Sequence, residues 1–179
     1  MKIFVIRHAS PDWERRDIPY TIQPGPMLTA KGEKEAEELA DFLRSQGLVK
    51  LYYSPFVRAA KTASIVAARN EIPAVEEPGL AEWRSVDEPE SHVRLRMVSA
   101  FKQAAHESVD GRSTGLVSHG GPIALLLEEL GIDRDELARY RTMFDTRNPL
   151  PPAGAWQVEQ SAGKEKWRFD LVFRPGSGE

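Results

Sequence analysis

Between Lys2 and Leu130, short apolar runs alternate with stretches of helical period. Lys2–Ile6, Leu51–Tyr53, Ala74–Glu76 and Thr114–Val117 have the character of buried strands. Parallel strands need a crossover of about a dozen or more residues between them, and a helix is the usual one. The alternation therefore predicts an α/β fold: a three-layer αβα arrangement around a largely parallel central sheet.

The helical stretches carry their own end signals. Thr29 is placed as an N-cap, and Glu33 and Glu35 suit the positive end that follows. Ala36, Leu39, Ala40 and Leu43 form the apolar stripe, and Gly47 suits the C-terminal cap. Ser54 and Pro55 read as the cap and first residue of a second helix, to about Ala68. A third runs from about Glu90 to Ser108 and buries Val93, Met97, Ala100, Phe101 and Ala104. Pro122–Leu130, ended by Gly131, and Asp133 to about Tyr140 complete the set. Trp156–Glu159 and Trp167–Phe173 read as a C-terminal β-hairpin at the sheet edge, turning at Ser161–Lys164 and entered through the Pro-rich segment Asn148–Gly154. A single domain is expected over residues 1–174, with a disordered tail at 175–179.

Composition narrows the chemistry. The chain of 179 residues has no cysteine, which excludes disulfides, thiolate metal sites and a cysteine nucleophile. Its 24 basic and 27 acidic residues give a net charge of -3, which speaks against nonspecific nucleic-acid binding. The apolar run Ile3–Ile6 is cut off by Arg7 and His8, too short for a secretory core or a membrane span. The expectation is a cytoplasmic protein with no membrane or nucleic-acid partner.

In parallel sheets ligands bind beyond the carboxyl ends of the strands. Arg7 and His8 follow the first strand there, Ser54 and Arg58 the second, and Ser118, His119, Gly120 and Gly121 the strand Thr114–Val117. Glu82 lies in the loop after Ala74–Glu76. Taken singly, each has an ordinary explanation: a hydrogen-bonded histidine, a solvated arginine, a flexible turn. Together they suit a phosphate monoester. Two guanidiniums hold and neutralise its oxygens, and glycine N–H groups at a helix start approach the anion. One neutral imidazole can attack phosphorus and a second can stabilise developing charge. A protonated carboxyl can deliver a proton to the leaving oxygen. The long loop Arg7–Met27 carries Trp13, Arg15, Arg16 and Tyr20, which are candidates to meet the substrate. His92 and His106 fall within the third helix and are read as surface residues.

At this point the chain resembles the histidine phosphatase superfamily, the phosphoglycerate mutase-like group. FVIRHASPDW is similar to its opening Arg-His motif, and LTAKGEKEAEELADFL to its Leu-Thr-x-x-Gly helix start. YYSPFVRAAKTASIV is similar to its Ser-Pro-x-x-Arg-Ala-x-x-Thr-Ala segment, LAEW to its Leu-x-Glu, and VSHGGPI to its second histidine motif. The resemblance implies His8 as the nucleophile, with Arg7, Arg58 and His119 lining the phosphate pocket beside Gly120. It implies Glu82 as general acid and later base, with no metal and no cofactor. Ala9 stands where glycine is usual, which is harmless unless the backbone there needs positive φ. Trp83–Asp87 lacks the Gly-x-x-Glu-Gly pattern of the mutases, so Asp87 and Glu88 stay open as alternative acids. Only 36 residues separate Glu82 from His119, where the mutases carry a larger insertion. The expected activity is hydrolysis of a phosphorylated small molecule or phosphoprotein by a small phosphatase. A mutase and a catalytically silent phosphate-binding module are the alternatives.

Overall fold

In the first strand, β1 (Lys2–Arg7), successive side chains point to opposite faces of the sheet. Ile3 and Val5 enter one hydrophobic cluster, and Phe4 and Ile6 the other. A strand buried on both faces must lie between two helical layers, and the computed structural model has that arrangement. It describes residues 1–108, 111–144, 148–160 and 166–176.

The other strands are β2 (Leu48–Tyr53), β3 (Ala74–Glu76), β4 (Ser113–Ser118), β5 (Ala155–Glu159) and β6 (Arg168–Phe173). They form one sheet in the order β3-β2-β4-β1-β5-β6. β3, β2, β4 and β1 pair in parallel, with Arg7 level with Ser118 and Tyr53 level with Val117. β5 and β6 pair antiparallel and form the edge hairpin. The hairpin's expected turn, Ser161–Lys164, lies outside the described residues, as do 177–179 of the expected tail. Gly176, within that tail, donates its N–H to Glu38 at 2.9 Å.

The helices are α1 (Ala30–Leu43), α2 (Val57–Asn70), α3 (Glu90–Glu107), α4 (Gly120–Glu129) and α5 (Arg134–Phe144), with a 3₁₀ turn at Pro78–Leu80. α1 and α2 cover one face: Ala36, Leu39 and Leu43 pack with Ala59, Ala63 and Val66 against Phe4 and Ile6. α3 and α4 cover the other, where Val93, Met97 and Phe101 meet Ile123 and Leu126 over Val5 and Leu116. Thr29 caps α1, its side chain accepting from the Gly32 N–H at 3.0 Å. Among the described residues no helix is long and apolar enough to cross a membrane.

Two helix starts differ from expectation, both beside the site. α2 begins at Val57 rather than Pro55, with Phe56 as N-cap. Ser54 Oγ still accepts from the Phe56 N–H at 3.4 Å, as a cap would, but it also meets Nε2 of His119 at 2.7 Å. α4 begins at Gly120, two residues before Pro122. The proline then sits inside the first turn, where its missing N–H has no helical partner to lose.

Candidate active site

Parallel strands bring their carboxyl ends to one rim, and the candidate residues converge there. β1 ends in Arg7 and delivers His8 directly after it. β4 ends in Ser118, and His119 is the N-cap of α4. Arg58 lies in the first turn of α2, and Glu82 follows the 3₁₀ turn. His8, Arg58 and His119 are fully buried, and Arg7 nearly so. Arg58 is therefore not the solvated helix residue that its position alone suggests.

Hydrogen bonds set the chemistry of each group. His8 Nδ1 lies 2.8 Å from the Ala9 carbonyl, which can only accept, so Nδ1 carries the proton and Nε2 the lone pair. Burial, aided by the charges of Arg58 and Arg7, pushes the His8 pKa well below the ordinary histidine range. The ring is thus neutral with an available lone pair. The His119 ring centroid is 5.1 Å from that of His8. Burial, then the neighbouring charge of Arg58, lowers its pKa in the same sense. Glu82 Oε2 lies 3.1 Å from Arg58 Nη2 and 3.3 Å from His119 Nδ1. Burial raises the Glu82 carboxyl above the ordinary carboxylate range, against the opposing pull of Arg58. That carboxyl is able to hold a proton at a mildly acidic pH.

The alternative acids are engaged elsewhere. Asp87 is exposed and pairs with Arg84. Glu88 pairs with Arg96 at 2.8 Å and with His92 at 3.0 Å. Of the three carboxylates considered, Glu82 is the one placed at the histidines. His92 and His106 are exposed, as expected. Ala9 is not among the residues with positive φ, so alanine there carries no backbone strain.

His8, Glu82 and His119 offer ligand atoms within 4.8 Å of one another, a grouping their sequence spacing does not reveal. Arg58 Nη2 already bonds both the Glu82 carboxylate and His119 Nδ1. A fixed cation at that position opposes a divalent ion and favours an anion.

A cavity of about 840 Å³ opens above the rim. Arg7, Glu82, Gly120 and Gly121 line its floor, and Trp13, Arg15, Arg16 and Tyr20 from the long loop line its wall, as the sequence suggests. The loop is closed at its neck by the Asp12 N–H donating to the Met27 carbonyl at 2.8 Å and by an antiparallel bridge between Pro11 and Leu28.

Several supporting residues escape sequence reasoning. Arg7 donates from Nη1 to the Leu150 carbonyl at 3.0 Å, and its backbone N–H to the Gly154 carbonyl at 3.0 Å. The segment entering the hairpin therefore orients the arginine beside His8. Glu35, read from sequence as a helix-dipole acid, is instead buried and accepts from the N–H and Oγ of Ser10 at 2.8 and 2.9 Å. Thr62 accepts from the Ala9 N–H at 3.1 Å. Together they pin the turn that follows His8. Asn148 lines the cavity and packs on Gly120. Thr62 lies within the quoted Ser-Pro segment and Glu35 within the quoted helix start, whereas a carbonyl acceptor such as Leu150 has no sequence signal.

The profile of the histidine phosphatase superfamily (branch 1) matches residues 3–88, which include Arg7, His8, Arg58 and Glu82. Over these residues, somewhat less than half of its length, the chain is similar to the histidine phosphatase superfamily. A relative, the probable phosphoglycerate mutase GpmB of Yersinia enterocolitica, is 28% identical over 152 residues, covering 84% of this chain and 65% of the relative. The chain thus spans less than two thirds of that relative's length. Mycobacterial glucosyl-3-phosphoglycerate phosphatase, in its complex with VO3, superposes with a TM-score of 0.71 at 18% identity, over 96% of this chain and 98% of its own. The protein histidine phosphatase SixA, complexed with tungstate, superposes with a TM-score of 0.62 at 21% identity, over 95% and 94%. These superpositions show that the chain shares the fold of those two phosphatases over nearly all of its length.

Proposed function

We propose that this protein is a metal-independent phosphatase that hydrolyses phosphate monoesters, or phosphohistidine, through a phosphohistidine intermediate on His8. The observation that carries the reading is the Nδ1–H bond of His8 to the Ala9 carbonyl. It aims a neutral Nε2 lone pair at a rim whose fixed charges are two buried guanidiniums.

In the first step Nε2 attacks phosphorus, the bond to the leaving oxygen breaks, and Glu82 gives that oxygen its proton. Arg7 and Arg58 hold the phosphoryl oxygens, with His119 and the Gly120 N–H at the start of α4. In the second step the Glu82 carboxylate takes a proton from water, the water oxygen attacks phosphorus, and the P–N bond breaks. Phosphate leaves, and both His8 and Glu82 return to their starting states.

Hydrolysis is favoured over a mutase reaction because the segment between Glu82 and His119 is used up by α3, β4 and short turns. No insertion is left there to enclose a substrate while its phosphoryl group is handed back. The phosphatases and the probable mutase among the similar proteins agree with phosphoryl chemistry on such a site.

The test is to trap the phosphoenzyme with labelled substrate. The label should be labile in acid, stable in base and absent from His8→Ala. Label persisting in that variant would overturn the assignment.

A further inference from the structure

The side chains at the heart of the site have no open route to the cavity. His8, Arg58 and His119 are fully buried, and none of the three lines the large cavity. Tyr20 stands between. Its hydroxyl lies 3.1 Å from Nε2 of His8, and its ring centroid is 4.0 Å from the Arg58 guanidinium carbon. Its outer neighbour is Trp13, stacked at 5.0 Å with an interplanar angle of 18°.

We infer that Tyr20 is a built-in competitor for the phosphate seat, a specificity-determining residue that any phosphate or phosphomonoester must displace. The inference rests on the proposed function, because the seat is defined by Nε2 as the attacking atom. A phosphorus atom in attacking contact with Nε2 and the phenol oxygen now hydrogen-bonded to it require the same space.

Electrostatics decide which occupant wins. Burial pushes the Tyr20 phenol up to about 12, although Arg58 and Arg7 both favour its ionised form. The group on the seat is thus a neutral hydroxyl, donating to the His8 lone pair, and it neutralises neither guanidinium. Nε and Nη1 of Arg58 are buried and have no hydrogen-bond partner among the described residues. A phosphate dianion brings both the charge and the acceptor oxygens.

The loop is built so that the exchange is local. Its neck is fixed by the Pro11–Leu28 bridge, and its far arm by the Val57 N–H donating to the Pro24 carbonyl at 3.0 Å. Between these anchors Arg15 pairs with its neighbour Asp17, and Trp13 is half exposed. Tyr20 can swing out with Trp13 while both ends of the loop hold.

An internal competitor lowers every apparent affinity by the fraction of time it occupies the seat. A substrate can recover that loss through leaving-group contacts with Trp13 and Trp83 in the cavity. Bare phosphate has no such contacts, so the product is expelled and small phosphomonoesters are disfavoured.

The experiment titrates inorganic phosphate calorimetrically into wild type, Tyr20→Phe and Trp13→Ala, with product inhibition of p-nitrophenyl phosphate hydrolysis as a second readout. Tyr20→Phe keeps the ring over Arg58 and removes only the competing oxygen. It should bind phosphate about 3- to 10-fold more tightly, because the hydroxyl's hydrogen bonds with His8 and Arg7 no longer have to be broken. Trp13→Ala, a change at an exposed side chain, should shift the affinity in the same direction by removing the surface that backs Tyr20. Equal affinities in all three would overturn the competition and leave the phosphate seat standing. Weaker binding by Tyr20→Phe would make the hydroxyl a phosphate ligand and overturn it equally. No phosphate binding by any of the three would remove the seat, and with it the proposed function.

Discussion

Arg58 donates a hydrogen bond of 3.1 Å from Nη2 to Nδ1 of His119. A guanidinium can only donate, so Nδ1 is the acceptor and the ring proton sits on Nε2, facing Ser54 Oγ at 2.7 Å. His119 is therefore neutral in its resting state, as His8 is by its bond to the Ala9 carbonyl. A cationic His119 would face Arg58 directly.

The pH dependence of phosphoenzyme formation follows from these states. Burial lowers the His8 pKa well below 6.5, so the nucleophile survives as pH falls through the ordinary histidine range. Burial raises the Glu82 pKa above 4.5, so the proton donor persists past the ordinary carboxylate range and is lost as pH rises further. On an alkyl phosphate, kcat/KM for the first step should therefore increase as pH is lowered from neutral to below 6.5. The profile is to be corrected for the substrate's own ionisation near about 6. A corrected profile that falls below pH 6.5 with an ordinary histidine limb would show that His8 is not held neutral.

Glu82 as proton donor makes a separate prediction, because the need for an acid depends on the leaving group. An alkyl alkoxide must be protonated as the bond breaks, whereas p-nitrophenolate is stable as an anion. Glu82→Gln should lose roughly 10²- to 10⁴-fold in phosphoenzyme formation from alkyl phosphates. It should lose much less on p-nitrophenyl phosphate, since His8 and the arginines are untouched. The first step must be followed by rapid quench, because the proposed mechanism uses Glu82 again in hydrolysis. Equal losses on both substrates would reassign Glu82 to positioning, and no loss on either would move the acid elsewhere.

The layers of the fold were legible because strands buried on both faces and amphipathic helices leave strong periodic signals, as in Ile3–Ile6 and the Ala36–Leu43 stripe. The convergence of Arg7, His8, Arg58, Glu82 and His119 was legible because strand ends share one rim. What was not legible rests on contacts between distant segments. Ser54 read as a cap and its Oγ does accept from the Phe56 N–H, but its second, shorter contact to His119 joins segments 65 residues apart and left no local signal. The start of α4 was obscured by two glycines, whose low helix propensity is overridden by the packing of Pro122, Ile123 and Leu126 beneath them. The support of Arg7 by the Leu150 carbonyl has no side-chain signature at all.

Metal independence is tested by removal. His8, Glu82 and His119 are grouped closely enough to tempt a cation, but the Arg58 guanidinium occupies the position between Glu82 and His119. Activity should survive prolonged treatment with excess chelator, and added divalent ions should not raise it. Vanadate should inhibit by taking the phosphate seat in a transition-state-like geometry. Loss of activity in chelator, restored by one divalent ion, would show that the two arginines do not supply the required charge.

The last prediction separates two adjacent glycines. A β-carbon on Gly120 would fall on the Asn148 amide, so that one of the two must move. Among the described residues, a β-carbon on Gly121 meets the Trp83 ring at 3.8 Å, an ordinary contact. Forcing an atom into a filled space costs about 1–3 kcal/mol, which in a domain of this size lowers Tm by roughly 2–4 °C per kcal/mol. Gly120→Ala should show that loss in a thermal melt. Gly121→Ala should keep the wild-type Tm or exceed it slightly, because alanine is the better helix former. The cause is checked by removing the obstacle: Gly120→Ala combined with Asn148→Gly should recover stability relative to Gly120→Ala alone. If the double variant melts no higher than Gly120→Ala, the Asn148 amide is not what excludes a side chain at the first residue of α4. The glycine would then have to be explained by its backbone.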